Sequence, residues 1–197
     1  MKLLTAIPVY NEDQYLEAIL HEVLQHAQEV LVVDDGSTDG TPRLLKEFPS
    51  VHVVRHPVNR GYGAGLRSAF EYCIEHGYDG LVTLDCDGQH EPSRIPEVAA
   101  GLSTSDIVSG SRYLKTFDPD QLPPEHRRKI NVEVTSWINN CLHLNITDAF
   151  CGFKAYRASA IKLFEITDDG YAMPLQVWVQ AVKHGLKIEE VAVPLIY

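Results

Sequence analysis

Nowhere does the sequence hold the run of roughly 18 apolar residues that a membrane-spanning helix needs. Its opening stretch, MKLLTAIPVYNE, is too short an apolar run for a signal peptide and enters a strand pattern at once. Positive charge is scarce as well. Seventeen Lys and Arg stand against 27 Asp and Glu, a net charge of −10 with His neutral. A chain that gripped nucleic acid or an anionic membrane through its overall field would carry the opposite sign. No nucleic-acid partner is therefore expected, membrane contact is expected to be peripheral at most, and any anionic ligand must be held by local groups. The four cysteines, Cys73, Cys86, Cys141 and Cys151, are scattered without a CxxC pair. That argues against a disulfide framework or a zinc site and for four buried thiols in a reducing cytoplasm. With no internal repeat, low-complexity tract or linker, residues 1–197 are expected to form a single domain, and that length can bury a sizeable core.

What is present is a rhythm. LLTAIPV (3–9), EVLVVDD (29–35), VHVVRH (51–56), GLVTLD (80–85) and DIVSGSR (106–112) read as strands. Between them, residues 13–27 place Leu16, Ile19, Leu20, Val23 and Leu24 on one helical stripe. Thr41-Pro42 opens a short helix with Pro at its first position, and residues 61–77 form a glycine-opened helix that stops at Gly77. Helices alternating with near-continuous Val/Ile/Leu strands imply an α/β fold, a mostly parallel sheet covered on both faces. Ligands of such sheets bind at the carboxyl ends of the strands. After Arg112 the rhythm breaks. Residues 113–129 are rich in Pro and charge and read as a mobile loop. A helix is expected over about 127–143, with Ile130, Val134, Trp137, Ile138 and Cys141 on one face. A strand at 151–157, a helix at 174–185 and a terminal strand at 187–197 follow.

The fourth strand ends in LVTLDCDGQH (81–90), two carboxylates one residue apart. As alternating strand residues, Asp85 and Asp87 would point the same way, with Cα atoms roughly 6–7 Å apart. Bare, they repel, and one would tend to take up a proton. A divalent cation removes the conflict: Mg²⁺ or Mn²⁺ takes oxygen ligands and is typically shared between one or two carboxylates and substrate phosphates. Gln89 adds an amide oxygen. The plainer alternative is a strand ending in a solvated Asp turn, with Gly88 supplying the bend, and D-x-D alone often matches by chance. Yet the other strand ends are polar too: PVYNE, DDGSTDGT and SGSR converge on the same sheet edge. Asp34 and Asp35 suit a turn, and Asp35 also suits hydrogen bonds from a base or ribose. NRGYGAG (59–65) fits a phosphate-cradling loop or a helix start packed close to the sheet equally well, and lacks the GxxxxGK[ST] spacing.

Taken in order, IPVYNE, VVDDGSTDGT, NRGYGAGLRSA, LDCDGQHEP, SGSRY and DAFCGFKAYR give the chain a resemblance to glycosyltransferase family 2, whose fold is GT-A. Within the family it resembles the polyprenyl-phosphate sugar synthases of the dolichyl-phosphate mannose synthase type, from Ile7 to about Tyr197. The resemblance implies an inverting, metal-dependent transfer of a sugar from a UDP- or GDP-linked donor, with Mg²⁺ or Mn²⁺ as cofactor. By the match, Pro8, Tyr10, Glu12 and Asp35 line the nucleoside pocket. Asp85, Asp87 and Gln89 hold the metal and diphosphate, with Asp87 the main ligand. The cation offsets charge building on the departing nucleotide. Arg112 stands where a guanidinium grips a phosphate bidentately; a surface ion pair is its plain alternative.

Transfer to a hydroxyl wants a carboxylate base. Asp168 and Asp169 precede the last helix, which itself offers Gln176, and the QxxRW motif of processive polysaccharide synthases is missing. Asp148 is the other base candidate, equally able to orient Arg112 or cap a helix. An ionised polyprenyl phosphate would need cations instead of a base. HRRK (126–129) is the densest basic cluster, so Arg127 or Arg128 is expected to bind that acceptor, although a solvated helix end explains such a cluster equally simply. Two departures stand out. Many relatives have GKG where this chain has Gly61-Tyr62-Gly63, and many carry transmembrane helices after the catalytic region. A complete enzyme that visits the inner face of the membrane from the cytoplasm, a shortened chain, and a non-lipid acceptor all remain open. Two rival activities are a sugar nucleotidyltransferase, whose basic glycine-rich loop PVYNEDQ lacks, and a catalytically silent nucleotide-sugar-binding protein, against which the D-x-D argues.

Overall fold

The computed structural model describes residues 1–118 and 120–196. Seven strands join one sheet: β1 (Leu3–Val9), β2 (Val30–Asp34), β3 (His52–Arg55), β4 (Gly80–Thr83), β5 (Ile107–Ser111), β6 (Lys154–Arg157) and β7 (Ile188–Ala192). Their order is β3-β2-β1-β4-β6-β5-β7. Every pairing is parallel except those of β6, which runs antiparallel to both β4 and β5. The expected mostly parallel sheet is therefore present.

Alternation along the strands feeds two apolar layers. Val30 and Val32 face one layer with Ile7 and Val9; Leu31 and Val33 face the other with Leu4 and Ala6. Helix α1 (Leu16–His26) covers the first layer through Leu16, Ile19, Leu20 and Val23. Helix α3 (Tyr62–Glu75) covers the second through Leu66, Ala69, Phe70 and Cys73, beside α7 (Met173–Lys183). Each fully buried Leu, Ile or Val contributes about 1.5–3 kcal/mol by leaving water, so both faces are anchored. Between α1 and α3 lies α2 (Thr41–Leu44), with Pro42 in its first turn as expected.

Several expectations need correcting. β4 stops at Thr83, so Asp85 and Asp87 lie in the turn beyond it, and strand alternation does not set their directions. A helix unmarked by strong periodicity, α4 (Ile95–Ala100), crosses from β4 to β5, and another single turn, α6 (Ala158–Ile161), follows β6. Helix α5 spans Glu125–Leu142, so it absorbs the end of the stretch read as loop. Its buried residues are Asn131, Thr135 and Ile138; of the other apolar residues expected on one face with Ile138, Ile130, Trp137 and Cys141 are exposed. Of the four unpaired cysteines, Cys141 alone is exposed, against the expectation that all would be buried. The terminal strand ends at Ala192, and the last residue of the range read as strand, Tyr197, lies outside the described residues. Among the described residues, no helix is long and apolar enough to cross a membrane.

The start of α3 is tied to the segment before α7. Gly61 has φ +107°, and a Cβ there would run into the carbonyl of Asp169, while one on Gly63 would lie 2.5 Å from the Asp168 carbonyl. Ala64 donates its N–H to the Asp169 carbonyl at 3.2 Å. Gly77 also has positive φ (+67°), but open space surrounds it. Gly61→Ala is thus expected to destabilise by about 1–3 kcal/mol, and measurably more than Gly77→Ala, in urea unfolding. Equal losses would mean that the 168–170 segment does not bear on α3.

Candidate active site

The carboxyl ends of β1, β2 and β4 and the start of α3 surround a cavity of about 490 Å³. Pro8, Tyr10, Glu12, Asp35, Asp85 and Asp87 all line it, together with Asn59, Tyr62 and Tyr171. Six residues picked out by sequence thus share one space. Four of its lining side chains are acids, and among the described residues none of the lining is Lys, Arg or His. The crowding is felt: burial, then the charges of Asp87, Asp39 and Asp85, push the Glu12 carboxyl above its usual value.

The two outer acids differ. Asp85 is half-buried. Its Oδ1 accepts the Tyr62 hydroxyl at 3.0 Å, and its backbone N–H donates to His90 Nδ1 at 3.0 Å. Since that nitrogen accepts, the neutral His90 ring carries its proton on Nε2, facing Cys151 Sγ at 3.8 Å. Burial holds this histidine below its ordinary value, against the pull of Asp85 and Asp87. Burial, reinforced by Asp85, keeps the Tyr62 phenol protonated as a donor. A Cβ at position 152 would occupy the space of the Asp85 carboxylate, so Gly152 is what leaves room for it. Antiparallel β6 brings that glycine there: Thr83 Oγ1 donates to the Gly152 carbonyl at 2.8 Å. Asp87 is exposed, and its Oδ1 accepts the Gln89 N–H at 3.0 Å.

Asp35 is buried, and its carboxylate is already engaged. It accepts from His56 Nδ1 at 2.6 Å, from the Arg60 N–H at 2.9 and 3.1 Å, and from the Gly61 N–H at 2.7 Å. It fastens the loop that opens α3 while also lining the cavity. Asp34 anchors the preceding turn through the Ser37 N–H at 2.8 Å and Arg55 Nε at 3.1 Å.

Gln89 sits on the other side of the turn. It lines a second cavity, about 230 Å³, with Arg112, Arg127, Tyr113, Asn131 and Phe150. Arg128 lines a third, about 150 Å³, that also includes Arg112. The structure therefore gathers Gln89, Arg112 and Arg127, and sets Arg128 apart over the Tyr113 ring at 5.8 Å.

Asp148 is wholly buried and paired. Arg112 Nε and one terminal nitrogen donate to its two oxygens at 2.7 and 3.0 Å, and Asn131 Nδ2 donates at 2.7 Å. Burial alone would raise this carboxyl, but Arg112 and Asn131 hold it below its ordinary value. The turn bearing it hangs from Glu190 on β7, which accepts the N–H groups of Thr147 at 2.8–2.9 Å and of Asp148 at 3.2 Å. In this arrangement Asp148 orients Arg112. Asp168 accepts the Gly170 N–H at 2.8 Å, Asp169 pairs with Arg67 at 2.5 Å, and Gln176 Oε1 accepts the Thr167 and Asp168 N–H groups, so this segment is internally fastened.

Sequence reasoning passed over Tyr62, His90, Tyr171, Lys154 and Glu190. Lys154 is buried, donates to the Cys151 carbonyl, and lies 5.3 Å from the Trp178 ring centre; burial lowers its pKa. The one available signal was a lysine inside the apolar run CGFKAYR, and His90 stood within a motif already singled out.

Removing one partner from a buried ion pair strands the other charge, at about 3–5 kcal/mol. Asp148→Asn is expected to lose stability in that range at pH 7. Because the folded carboxyl lies below its unfolded value of about 3.9, the pair's stabilisation is present above that value. It disappears as pH falls through the depressed folded pKa. Chemical unfolding between about pH 7 and pH 2 should thus show a shallower acid limb for the variant than for the parent; parallel limbs would contradict the pairing.

A family model described as Glycosyl transferase family 2 matches residues 5–164. An undecaprenyl-phosphate mannosyltransferase from Micrococcus luteus is 35% identical over 205 residues, covering 100% of this chain and 84% of that protein. A polyprenol monophosphomannose synthase from Mycolicibacterium smegmatis is 29% identical over 203 residues, covering 98% and 76%. Among solved structures, glucosyl-3-phosphoglycerate synthase from Mycobacterium tuberculosis, in complex with Mn²⁺, uridine-diphosphate and phosphoglyceric acid, superposes with a TM-score of 0.78 at 18% identity, covering 98% of this chain and 69% of that one. At that identity the likeness is one of fold, and the fold is GT-A. The chain belongs to glycosyl transferase family 2: it is a glycosyltransferase of the GT-A fold, and its relatives bear out the expected likeness to the polyprenyl-phosphate sugar synthases.

Proposed function

We propose that this enzyme moves a sugar from a UDP- or GDP-linked donor to a polyprenyl phosphate, with inversion and with a divalent cation, at the cytoplasmic face of a membrane. The observation that carries the reading is a division of charge. One cavity is lined by four carboxylates and, among the described residues, by no cationic side chain, and beside it lies a second lined by Arg112 and Arg127. A nucleotide diphosphate is itself anionic. It enters the first cavity favourably only with a cation, and Asp85 and Asp87 both face that space.

The residues fit Mg²⁺ or Mn²⁺. Both carboxylates line the cavity, and the Asp85 side chain sits in room that Gly152 leaves free. Among the described residues no group of three or more His, Cys, Asp or Glu is placed to hold a metal ion by itself, so phosphate and water oxygens would have to complete the ligand set. When bound, such an ion stabilises negative charge on the departing nucleotide diphosphate. Tyr62 orients Asp85 through a hydrogen bond donated by its neutral phenol. Pro8, Tyr10 and Glu12 are assigned to the nucleoside, and Asp35 holds the loop at its edge.

On the acceptor side, a phosphate monoester is already ionised at neutral pH and needs no proton removed. Commitment of Asp148 to Arg112 is consistent with that, because the pair presents an oriented guanidinium and takes Asp148 itself out of use as a base. Arg127 and Gln89 share the same cavity, so they join Arg112 as acceptor contacts; Arg128 is assigned a place at the mouth. Inversion is the outcome of a single displacement, and the reading assigns no covalent nucleophile. The names of the two relatives, both of which specify a polyprenyl acceptor, favour the lipid phosphate over other anions.

A thermal-shift panel of UDP- and GDP-sugars with and without Mn²⁺ tests the donor half. A cognate donor at 100 times Kd adds about 2.7 kcal/mol of stability, and Asp87→Ala is expected to remove the metal-dependent part. A shift that survives undiminished would refute the metal assignment. For the acceptor half, Arg127→Glu is expected to raise the acceptor KM by about 10- to 100-fold, the value of a charge-assisted hydrogen bond, leaving donor KM within about twofold. Equal effects on both KM values would remove Arg127 from the acceptor site.

A further inference from the structure

A hydrogen-bonded relay, Asp35–His56–Ser68, leads from the wall of the donor cavity into the body of the protein. The β2–β3 register pairs Asp34 with Arg55, so Asp35 and His56 leave their strands side by side, and the His56 N–H donates to the Asp34 carbonyl at 2.9 Å. His56 Nδ1 then meets Asp35 Oδ1 at 2.6 Å, and Nε2 meets Ser68 Oγ on α3 at 2.9 Å. Asp35 and His56 are both buried. A carboxylate only accepts, so Nδ1 carries a proton, and in the neutral ring Nε2 accepts from the Ser68 hydroxyl.

The order of groups is that of a nucleophilic Ser-His-Asp triad, but the serine end is unsuited to that chemistry. Such a nucleophile needs free backbone N–H groups beside it to hold an oxyanion. Ser68 stands in the middle of α3, where the helix spends those N–H groups on its own carbonyls. The end that meets open space is the acid, because Asp35 lines the cavity assigned to the donor. Its two oxygens offer about four acceptor positions. Oδ1 takes His56 Nδ1 and the Arg60 N–H; Oδ2 takes the Gly61 N–H at 2.7 Å and shares that of Arg60 at 3.1 Å. The capacity left for a ligand therefore lies on Oδ2. Without the imidazole, Oδ1 would be open as well, and the carboxylate would no longer present a single fixed place.

We propose that His56, backed by Ser68, is a positioning residue for donor recognition: it holds Asp35 as an oriented carboxylate that takes one N–H or O–H group of the donor's nucleoside. Hydrogen bonds joining the ends of β2 and β3 to α3 then set the nucleoside's place, separately from the metal-bearing pair Asp85 and Asp87. This deepens the nucleotide-sugar reading above and rests on it.

Without any ligand, nitrogen NMR of the histidines should show His56 protonated at Nδ1. Two probes then divide the cavity. Pyrophosphate with Mn²⁺ engages only the metal and diphosphate places, whereas UDP or GDP with Mn²⁺ engages the nucleoside place too. His56→Gln, whose amide reaches toward Ser68 and away from Asp35, is expected to raise the nucleotide Kd and the donor KM about 10-fold, the value of a hydrogen bond to a charged group, leaving the pyrophosphate Kd, the acceptor KM and kcat within about twofold. His56→Asn, whose side-chain N–H stands near the place of Nδ1, should recover most of that loss. Ser68→Ala should fall between the two, and Ser68→Thr should restore what Ser68→Ala loses. If His56→Gln does not fold, Ser68→Ala against Ser68→Thr carries the same comparison. A ring protonated only at Nε2, or pyrophosphate and nucleotide weakened alike, would overturn the proposal. Nucleotide binding by the parent that His56→Gln and Ser68→Ala both keep would overturn it while leaving the donor reading intact. A parent that binds pyrophosphate with Mn²⁺ but neither nucleotide would refute the donor reading, and this proposal with it.

Discussion

Four carboxylates share one cavity with no cationic side chain among its described lining, and much of the surrounding structure exists to make that tolerable. Like charges a few ångströms apart repel unless solvent, hydrogen bonds or a counter-ion intervene. Asp35 is quenched by backbone N–H groups and His56, so it is as much a structural fastener as a wall. Asp85 has a phenol; Asp87 has water on one side and one N–H on the other. Glu12 is left with burial first and the charges of Asp87, Asp39 and Asp85 second, and both make its carboxyl hold a proton more readily than usual. Across the turn at 87–89 the balance inverts, and a fully buried Asp148 is matched to Arg112. The two halves thus differ in kind. One is charge left open for a ligand to complete; the other is charge already neutralised and used to aim a guanidinium.

Antiparallel β6 makes the two halves neighbours. A strand running with β4 and β5 would have carried its first residues to the far edge of the sheet. Reversed, it delivers Cys151, Gly152 and Phe153 to the edge where β4 and β5 end. The Gly110 N–H donates to the Phe153 carbonyl at 2.8 Å, and Thr83 holds Gly152. The turn just before the strand supplies Asp148, while the strand supplies Lys154. One short element therefore seats Asp85 from below and Arg112 from the side.

Elements whose own residues carry their signal were legible in the sequence. The strands of the first half, α1 with its stripe, and α3 with glycines at its start are local patterns, and the structure departs from them by a residue or three at the ends. Strand direction was not legible, because CGFKAYR reads the same whichever way it pairs. Nor were short helices such as α4 and α6, which are held by packing more than by periodicity. The side that α5 turns inward was not legible for a related reason. A helical stripe of apolar residues says that a face exists but not which way it turns, and here Asn131 and Thr135 turn inward because Asp148 and the Ala149 N–H offer them partners. In the site, motif acids were found because carboxylates at strand ends are conspicuous. Tyr62 and Glu190 were missed because their partners are distant in sequence, and His90 because its hydrogen bond to the Asp85 N–H exists only once the turn at 85–90 is folded.

The identity of residue 62 ties these points together. An ammonium at this position would neutralise part of the acidic cavity. A phenol orients Asp85 without neutralising it, and its burial keeps it a donor throughout the neutral range. The cavity consequently retains its full deficit of positive charge. In the reading proposed above, that deficit is met by the divalent cation alone, which makes donor binding and metal binding a single event. Tyr171, 82% exposed and stacked on Tyr62 at 5.6 Å between ring centres, then extends the same wall to the mouth of the cavity. Its segment is held against Gly61 and Gly63, so the absence of side chains at those two positions bears on the donor wall as directly as any acid does.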